Sequence, residues 1–289
     1  MTGQGLRVAR TRNELRTAYH DAGPVPRAVV MTMGALHVGH GQLMTAAREL
    51  VGPDGHVTAT IFVNPLQFGA NEDLDRYPRT FDADLELCTQ RGVDLVFAPP
   101  PTTIYPQGEP QVTVEPGPLG RLFEGATRPG HFAGVLTVVA KLLALTGADY
   151  ALFGEKDYQQ VTLIRQMVAD LDLPVEIIGV PIVRDPDGLA MSSRNKYLSA
   201  DARATALVIP RAVRAAADAA ASGAAGDQIV QAANSVLAGV TGVEVDYVAL
   251  TDPSMAEAPP SGAARILITA VVDGTRLLDN GPIEIVGGS

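Results

Sequence analysis

Two histidines, His37 and His40, stand three residues apart in the stretch TMGALHVGH, directly after the apolar run of residues 27–31. If a helix begins near His37, both imidazoles lie on one side of its first turn. Unpaired backbone N–H groups collect at that end of a helix, which favours a bound anion. Gly34 and Gly39 carry no side chain that would keep a phosphate or an adenine away from the backbone. The stretch is therefore a candidate phosphate-binding turn, with two ordinary surface histidines as the alternative.

Two further segments carry groups that suit a nucleotide. In ALFGEKDYQQ, Lys156 follows a strand-like run and could reach a phosphate, while Asp157 could accept hydrogen bonds from ribose hydroxyls. In GLAMSSRNKYL, two serines and an arginine form a donor-rich loop that could bind a polyphosphate: Ser192, Ser193 and Arg194. The alternative for both segments is structural, because serines and charged residues at such positions often cap helices.

Neutral amides follow the same kind of strand-like run: Asn64 and Gln67 in FVNPLQFG, and Gln160 in EKDYQQ. A side-chain amide both donates and accepts hydrogen bonds, so it could orient a polar substrate such as a hydroxy acid. NPLQFG is also a good turn sequence, which leaves a purely structural role open. The Gly-rich segment FEGATRPGHFAGV, with Arg128 and His131, is expected to be a mobile segment that closes over a site.

The elements that would position these residues alternate along the chain. Short apolar runs typical of buried strands occur at 27–31, 57–63, 93–99, 149–154 and 174–183. Helical apolar spacing occurs between them, at 41–51, 81–91, 134–147 and 160–173. This alternation predicts an open α/β sheet of parallel strands with right-handed crossovers. In such a sheet, ligands lie beyond the carboxyl ends of the strands, where the candidate residues fall.

The composition changes near residue 183. An Ala-rich stretch with helical spacing covers residues 200–239 and is interrupted by glycine at 223–226. Three strand-like runs follow at 243–250, 265–272 and 275–286. Helices followed by strands predict a smaller α+β domain. We therefore expect two domains, residues 1–182 and residues 183–289.

Composition limits the classes of function. Lys plus Arg number 22 and Asp plus Glu number 32, which gives a net charge of −10. Such a chain repels nucleic acid and anionic membranes, so neither is expected as a partner. Cys88 is the single cysteine, which excludes an intramolecular disulfide, and no run of about 18 apolar residues occurs. A cytoplasmic globular protein is expected.

Taken together, several motifs resemble those of the pantothenate synthetase family, also called pantoate–β-alanine ligases. They are TMGALHVGH, FVNPLQFG, DLDRYPRT, RPGHFAGVLTVV, FGEKDYQQ, DGLAMSSRNKYL and TRLLDN. The resemblance runs through residues 27–200 and more weakly to residue 280. It implies a Rossmann-like nucleotidylyltransferase domain that binds ATP and pantoate, followed by a smaller C-terminal lid domain. It also implies a homodimer that serves pantothenate biosynthesis and the coenzyme A pathway.

The resemblance implies an AMP-forming acid–amino-acid ligase that works in two steps. ATP adenylates pantoate and releases pyrophosphate, and then the amine of β-alanine attacks the pantoyl adenylate and releases AMP. His40 would be the proton donor and His37 a phosphate partner, with Lys156 and Arg194 also on the phosphates. Mg²⁺ is expected with ATP, but the segment FDADLEL keeps Asp82 and Asp84 without an adjacent carboxylate pair, so no metal ligand is assigned.

The resemblance also implies the remaining contacts. Gln67 and Gln160 would hold pantoate, and Gln67 would help to place β-alanine. The expected ATP-binding residues are Met33, Gly34, Ala35, Leu36, His37, Val38, Gly39, His40, Gly154, Glu155, Lys156, Asp157, Val183, Met191, Ser192, Ser193 and Arg194.

Three other functions remain as alternatives. A nucleotidylyltransferase that adenylates a phosphate would need a basic pocket where the neutral Gln67 and Gln160 lie. A class I aminoacyl-tRNA synthetase would need an anticodon-binding region and a basic face, which this acidic chain does not show. A non-catalytic nucleotide sensor would bind ATP without pantoate-dependent release of pyrophosphate.

Overall fold

A computed structural model of the chain describes residues 5–69, 74 and 77–286. The chain divides into two compact units. The first comprises residues 1–155 and 159–181, and the second comprises residues 156–158 and 182–289. Residues 73, 75 and 76 of the motif DLDRYPRT lie outside the described part of the chain.

The first unit is built on a six-stranded sheet in which every pairing is parallel. The strands are β1 (Arg7–Ala9), β2 (Arg27–Thr32), β3 (His56–Ile61), β4 (Leu95–Phe97), β5 (Tyr150–Gly154) and β6 (Glu176–Val180). Their order is β1-β4-β3-β2-β5-β6, so the order reverses beside β2. The predicted parallel α/β sheet is confirmed. The last strand is shorter than predicted and ends before Pro181, which has no N–H for the ladder.

Helices cover both faces of this sheet. They are α1 (Arg12–Ala22), α2 (Val38–Val51), α3 (Phe81–Gln90), α4 (Pro101–Ile104), α5 (Glu124–Thr127), α6 (His131–Thr146) and α7 (Tyr158–Asp170). In β2, Val29 packs in one core with side chains of α1 and α6, while Val30 packs in a second core with Met44 of α2. Alternate residues of a central strand thus enter different cores, which explains its continuous apolar run.

The first strand and helix were missed in the sequence, although one signal was present. Thr11 and Glu14 form a capping box at the start of α1. The Thr11 hydroxyl accepts a hydrogen bond from the Glu14 N–H at 3.2 Å, and the Glu14 carboxylate accepts one from the Thr11 N–H at 3.0 Å. A Thr followed three residues later by Glu is a recognised helix start.

The second unit combines helices with three strands, as predicted for an α+β domain, and its sheet is antiparallel. Its elements are α8 (Ala200–Ala206), α9 (Val208–Ala221), α10 (Gly226–Leu237), β7 (Val243–Thr251), β8 (Gly262–Val272) and β9 (Thr275–Ile285). The strand order is β7-β8-β9. Apolar residues of β8 and β9 pack against α9, and α10 packs against α9 and β7. Buried alanines of the two helices lie in this core: Ala212, Ala216, Ala220 and Ala233. Among the described residues, no helix is long and apolar enough to cross a membrane.

Candidate active site

The loops that follow β2, β3 and β5 carry the predicted site residues of the first unit. Met33 follows the end of β2, Gln67 follows β3, and Gly154 is the last residue of β5. These three strands are neighbours and parallel, so their carboxyl ends lie along one edge of the sheet. The order of strands reverses between β2 and β5, which is where open α/β sheets bind ligands.

The two histidines form a capping box at the start of α2. His37 is the N-cap, and its Nδ1 accepts a hydrogen bond from the Gly39 N–H at 3.1 Å. In return, His40 Nδ1 accepts from the His37 N–H at 3.3 Å. The ring centroids lie 4.1 Å apart, which confirms that both rings occupy one side of the first turn. Imidazoles take the places that Ser or Thr and Glu usually fill in this motif.

This capping fixes the tautomer of both rings. Because each Nδ1 atom accepts a backbone N–H, the ring hydrogen of the neutral imidazole lies on Nε2. A hydrogen on Nδ1 would remove the cap. His37 and His40 thus both stabilise the N-terminus of α2 through their Nδ1 atoms.

The turn before α2 adopts a rare backbone conformation. Gly34 and Ala35 have φ angles of 83° and 52°. A left-handed conformation costs a residue with a side chain, such as Ala35, about 1–2 kcal/mol. A Cβ atom on Gly34 would lie 3.1 Å from Oδ2 of Asp84 and 3.1 Å from a methyl group of Ile61. The requirement for glycine at position 34 therefore comes from the fold of the turn.

A buried carboxylate from α3 holds this turn. Asp84 is 2% exposed, and its Oδ2 accepts from the Ala35 N–H at 3.1 Å. Its Oδ1 accepts from the Leu36 N–H at 2.8 Å and from the Thr80 hydroxyl at 2.9 Å. Hydrogen bonds from two consecutive N–H groups offset the backbone cost and set where α2 begins. From the sequence, this residue suggests only a possible metal ligand.

The described part of the chain does not supply a recognisable Mg²⁺ ligand set. Within it, no group of three His, Cys, Asp or Glu side chains could hold a metal ion. Asp84 uses both oxygens on the turn and on Thr80, which leaves little capacity for a cation. Burial of Cys88 on the same helix raises the pKa of its thiol to about 12, and the charge of Asp84 adds a smaller effect in the same direction. This thiol therefore stays protonated at neutral pH.

Gln67 lies in a short 3-10 helix, Pro65–Gln67, and a buried asparagine orients its side chain. Asn64 is 1% exposed, and its Nδ2 donates to Gln67 Oε1 at 3.1 Å. Gln67 Nε2 then approaches the sulfur of Met33 at 3.3 Å, so the structure brings two predicted site residues together. Asn64 also accepts from the Tyr105 hydroxyl at 2.8 Å, and burial raises the pKa of that phenol and keeps it protonated. The structural alternative therefore accounts for Asn64, because its polar atoms bind groups of the fold.

The Gly-rich segment supports the backbone of Gln67. It forms α5 and the start of α6, joined by residues 128–130. His131 Nδ1 lies 2.9 Å from the Gln67 carbonyl oxygen, and because that oxygen only accepts, the imidazole donates. The Arg128 guanidinium donates to His131 Nε2 at 3.0 Å and approaches the same carbonyl at 3.4 Å. Closure of this segment over a site stays a prediction.

Two adjacent glutamines on α7 have different environments. Gln159 is 4% exposed, and its Oε1 accepts from the Glu124 N–H at 3.0 Å. Its Nε2 donates to the carbonyls of Leu119 and Leu122, each at 2.9 Å. Gln160, the predicted pantoate ligand, is half-buried in the first turn of the helix. The dipeptide alone does not distinguish these roles.

Glu155, a predicted ATP-binding residue, directs its carboxylate toward Gly179 of β6. A Cβ atom added to Gly179 would lie 2.7 Å from Oε1 of Glu155.

The second unit carries the other predicted ATP-binding residues. Lys156 Nζ lies 3.6 Å from Oδ1 of Asp157. The Met191 N–H donates to the Val183 carbonyl at 2.9 Å, which closes a hairpin over residues 183–191 and brings these two predicted residues together. Ser192 caps the following 3-10 helix, Ser193–Tyr197, by accepting from the Arg194 N–H at 3.2 Å. Ser192 thus caps a helix, which is the structural alternative predicted for this serine. The capping bond uses the hydroxyl oxygen as acceptor and does not use the hydroxyl hydrogen.

Two arginines hold this hairpin. Arg184 donates to both oxygens of the buried Asp279 in β9, at 2.7 and 2.9 Å. It also donates to the Gly188 carbonyl at 3.1 Å. At the tip of the hairpin, Arg203 donates to Asp185 at 2.6 Å and to Asp187 at 2.9 Å. The base of the hairpin is therefore tied to the sheet, and its tip to α8.

The reversal of strand order beside β2, with a helix N-terminus and polar side chains at that edge, defines an α/β protein of the nucleotidylyltransferase type. The family model described as pantoate-beta-alanine ligase matches residues 7–282. The chain belongs to this family of ligases.

Relatives with this name cover nearly the whole chain. A pantothenate synthetase from Salinispora arenicola is 55% identical over 279 residues, 96% of this chain and 98% of the relative. One from a Nocardioides species is 53% identical over 96% of this chain and 85% of the relative. The crystal structure of pantothenate synthetase from Thermus thermophilus superposes with a TM-score of 0.88 at 44% identity, covering 95% of this chain and 98% of that one. A pantoate-beta-alanine ligase from Francisella tularensis, described as complexed with beta-gamma ATP and beta-alanine, gives 0.78 at 32% identity and covers 96% and 97%.

Proposed function

We propose that this ligase condenses pantoate with β-alanine in two steps within one site, through a pantoyl adenylate. The first step releases pyrophosphate and the second releases AMP. The observation that carries the proposal is the histidine-capped N-terminus of α2 at the reversal of strand order, in a chain that matches the family over residues 7–282. The ATP and β-alanine in the description of the Francisella protein support the same pair of ligands here.

The chemistry requires activation of an unreactive carboxylate. A carboxylate is a poor electrophile, and transfer of AMP to it creates a good leaving group. The enzyme must align that carboxylate with the α-phosphorus and stabilise the charge that develops on the phosphate oxygens. We assign this stabilisation to the imidazole of His40, with His37 as a second phosphate partner. From the second unit, we assign Lys156 and Arg194 to the phosphates of the same ATP.

Pantoate would be recognised by uncharged groups. The side chain of Gln67 contacts Asn64 and Met33, neither of which carries charge. With its Oε1 engaged by Asn64, the amide nitrogen is the end that can donate to a hydroxy acid. Gln160 is the second proposed ligand. This setting favours a carboxylic acid over the phosphate substrate of the rival nucleotidylyltransferase, which would require cations there.

The remaining assignments rest on the family resemblance. We propose that residues 1–182 form the catalytic domain and 183–289 a lid domain, in a cytoplasmic homodimer of the coenzyme A pathway. Mg²⁺ would accompany ATP, held by phosphates and water, since the described residues show no carboxylate cluster for it.

The decisive experiment is a product assay with purified protein, ATP, pantoate and β-alanine, in which each substrate is omitted in turn. We expect AMP and pantothenate only with all three, and exchange of pyrophosphate into ATP with pantoate alone. Exchange that requires a different acid would contradict the substrate assignment. ATP binding without any exchange would favour the sensor.

A further inference from the structure

The motif TRLLDN, at the start of β9, has no role in the function proposed above, yet two of its polar residues are almost fully buried. Asp279 and Asn280 are each 3% exposed. Buried polar side chains of this kind are retained when they have hydrogen-bond partners. Asp279 binds Arg184 at the base of the 183–191 hairpin, as described above. The partners of Asn280 lead to another segment of the proposed site.

Asn280 uses both ends of its amide. Its Oδ1 accepts from Nε of Arg265 in β8 at 2.8 Å. Its Nδ2 donates to the main-chain carbonyl of Lys156 at 2.9 Å. The orientation of the amide is fixed by these partners, because the guanidinium can only donate and the carbonyl can only accept.

Two more contacts hold the segment that contains Lys156. The guanidinium carbon of Arg265 lies 3.6 Å from the centre of the Tyr158 ring, and the Tyr158 hydroxyl donates to the Pro253 carbonyl at 2.8 Å. Residues 156–158 thus group with the second unit even though residues 155 and 159 belong to the first. The Lys156 side chain is only 17% exposed, so the direction of its main chain strongly limits where its ammonium group can lie.

We propose that Asn280 is a positioning residue, which holds the Lys156 carbonyl so that the Lys156 ammonium meets the phosphates of ATP. This inference rests on the proposed function only in taking Lys156 as a phosphate ligand. In this role Asn280 acts through its bonds to Arg265 and Lys156 and needs no contact of its own with the nucleotide. Because Asn280 acts on the nucleotide through the main chain of Lys156 alone, its effect on ATP binding should depend on the Lys156 side chain. A general contribution to folding would not depend on that side chain.

Asn280→Asp is the discriminating variant. The carboxylate keeps the bond to Arg265 as an ion pair, but it cannot donate to the Lys156 carbonyl and places two acceptors against each other. Loss of one such bond corresponds to about three- to tenfold weaker ATP binding. Asn234→Asp is the matched control, since it makes the same change at an exposed position on α10.

The test is a double-mutant cycle on the dissociation constant of ATP, measured by titration calorimetry with the intact chain. The four proteins are wild type, Lys156→Ala, Asn280→Asp and the double variant. Lys156→Ala removes the ammonium but keeps the carbonyl that Asn280 binds. We expect Asn280→Asp to weaken binding in wild type and to add less than about twofold in the Lys156→Ala background, since the two residues share one effect.

The outcomes separate this inference from the proposed function. Additive effects of the two substitutions, or no effect of Lys156→Ala, would overturn the positioning role even if pantothenate is made. Non-additive effects in a protein that binds ATP but makes no pantothenate would support positioning while the ligase proposal fails. Asn280→Ser, which removes the amide without adding charge, is carried through the same cycle in case Asn280→Asp folds poorly.

Discussion

The turn that precedes α2 and the segments that hold Lys156 and Met191 are assigned to the same nucleotide, yet they are stabilised differently. In the turn, the His37 and His40 side chains accept backbone N–H groups at the start of α2, and one carboxylate on α3 holds the two residues before them. In the second unit, the partners lie far along the chain on β9: Asp279 is 95 residues from Arg184, and Asn280 is 124 residues from Lys156. The first arrangement needs one helix start and one neighbouring helix. The second needs a completed C-terminal sheet. A substitution that disrupts β9 should therefore disturb both the 183–191 hairpin and the segment that contains Lys156.

The largest expected effect concerns the imidazole of His40. His40→Gln keeps a side-chain acceptor at the position where capping boxes commonly have Gln, but removes the ring. We expect pantoate-dependent ATP–pyrophosphate exchange to fall by about two to four orders of magnitude, with little change in stability.

The control for this substitution is His20→Ala, because the His20 side chain is 91% exposed on α1. It should exchange at the wild-type rate. If the exchange rate of His40→Gln also stays within a few-fold of wild type, the ring serves only to cap the helix. The proposed role of His40 in catalysis would then be wrong.

The next effect concerns the carboxylate beneath the turn. Asp84→Asn would present an amide group to at least one of two N–H donors, those of Ala35 and Leu36. We expect the free energy of unfolding to fall by about 2–3 kcal/mol and exchange to fall by about tenfold or more. Urea unfolding and the exchange assay measure the two quantities.

Two variants sharpen this prediction. Asp82→Asn changes an exposed carboxylate on the same helix and should leave exchange unchanged. Ala35→Gly should partly restore exchange in the Asp84→Asn background, since glycine holds a positive φ without cost. Equal exchange rates in Asp84→Asn and Asp82→Asn would show that the turn keeps its shape unaided.

In the second unit, Asp279→Asn should destabilise the base of the hairpin. The substitution removes the charge that meets the Arg184 guanidinium through two hydrogen bonds. We expect a loss of about 1.5–3 kcal/mol in the free energy of unfolding, measured in urea. Asp273→Asn, exposed in the turn between β8 and β9 at a φ of 49°, is the control, and Asn tolerates that conformation well. Similar losses in both variants would argue against a special role for the buried pair.

The smallest effect is expected at the tip of the same hairpin. Arg203→Gln removes ion pairs to Asp185 and Asp187 in which the arginine side chain is 33% exposed. Solvent-exposed pairs contribute about 1 kcal/mol or less. Thermal unfolding should shift only slightly, with unchanged affinity for ATP. A loss as large as that of Asp279→Asn would place the main anchor of the hairpin at α8 instead of β9.

The same contrast explains what the sequence could predict. The parallel sheet, the helix start near His37 and the glycine break before α10 depend on periodicity and on contacts within a few residues. The role of Asp84 depends on a turn 48 residues earlier, and the difference between Gln159 and Gln160 depends on which side of α7 faces residues 119–124. Such distant pairings leave no local spacing pattern, and for that reason the sequence leaves the role of Asn64 open between a substrate contact and the fold.

The grouping of residues 156–158 with the second unit also bears on how such a ligase can change in evolution. The chain passes from one unit to the other after residue 155, returns after 158 and leaves again after 181. A recombination event near residue 181 would exchange the β9 strand while leaving its Lys156 partner segment behind. The contacts of Asn280 and Arg265 would then depend on whatever segment takes the place of residues 156–158.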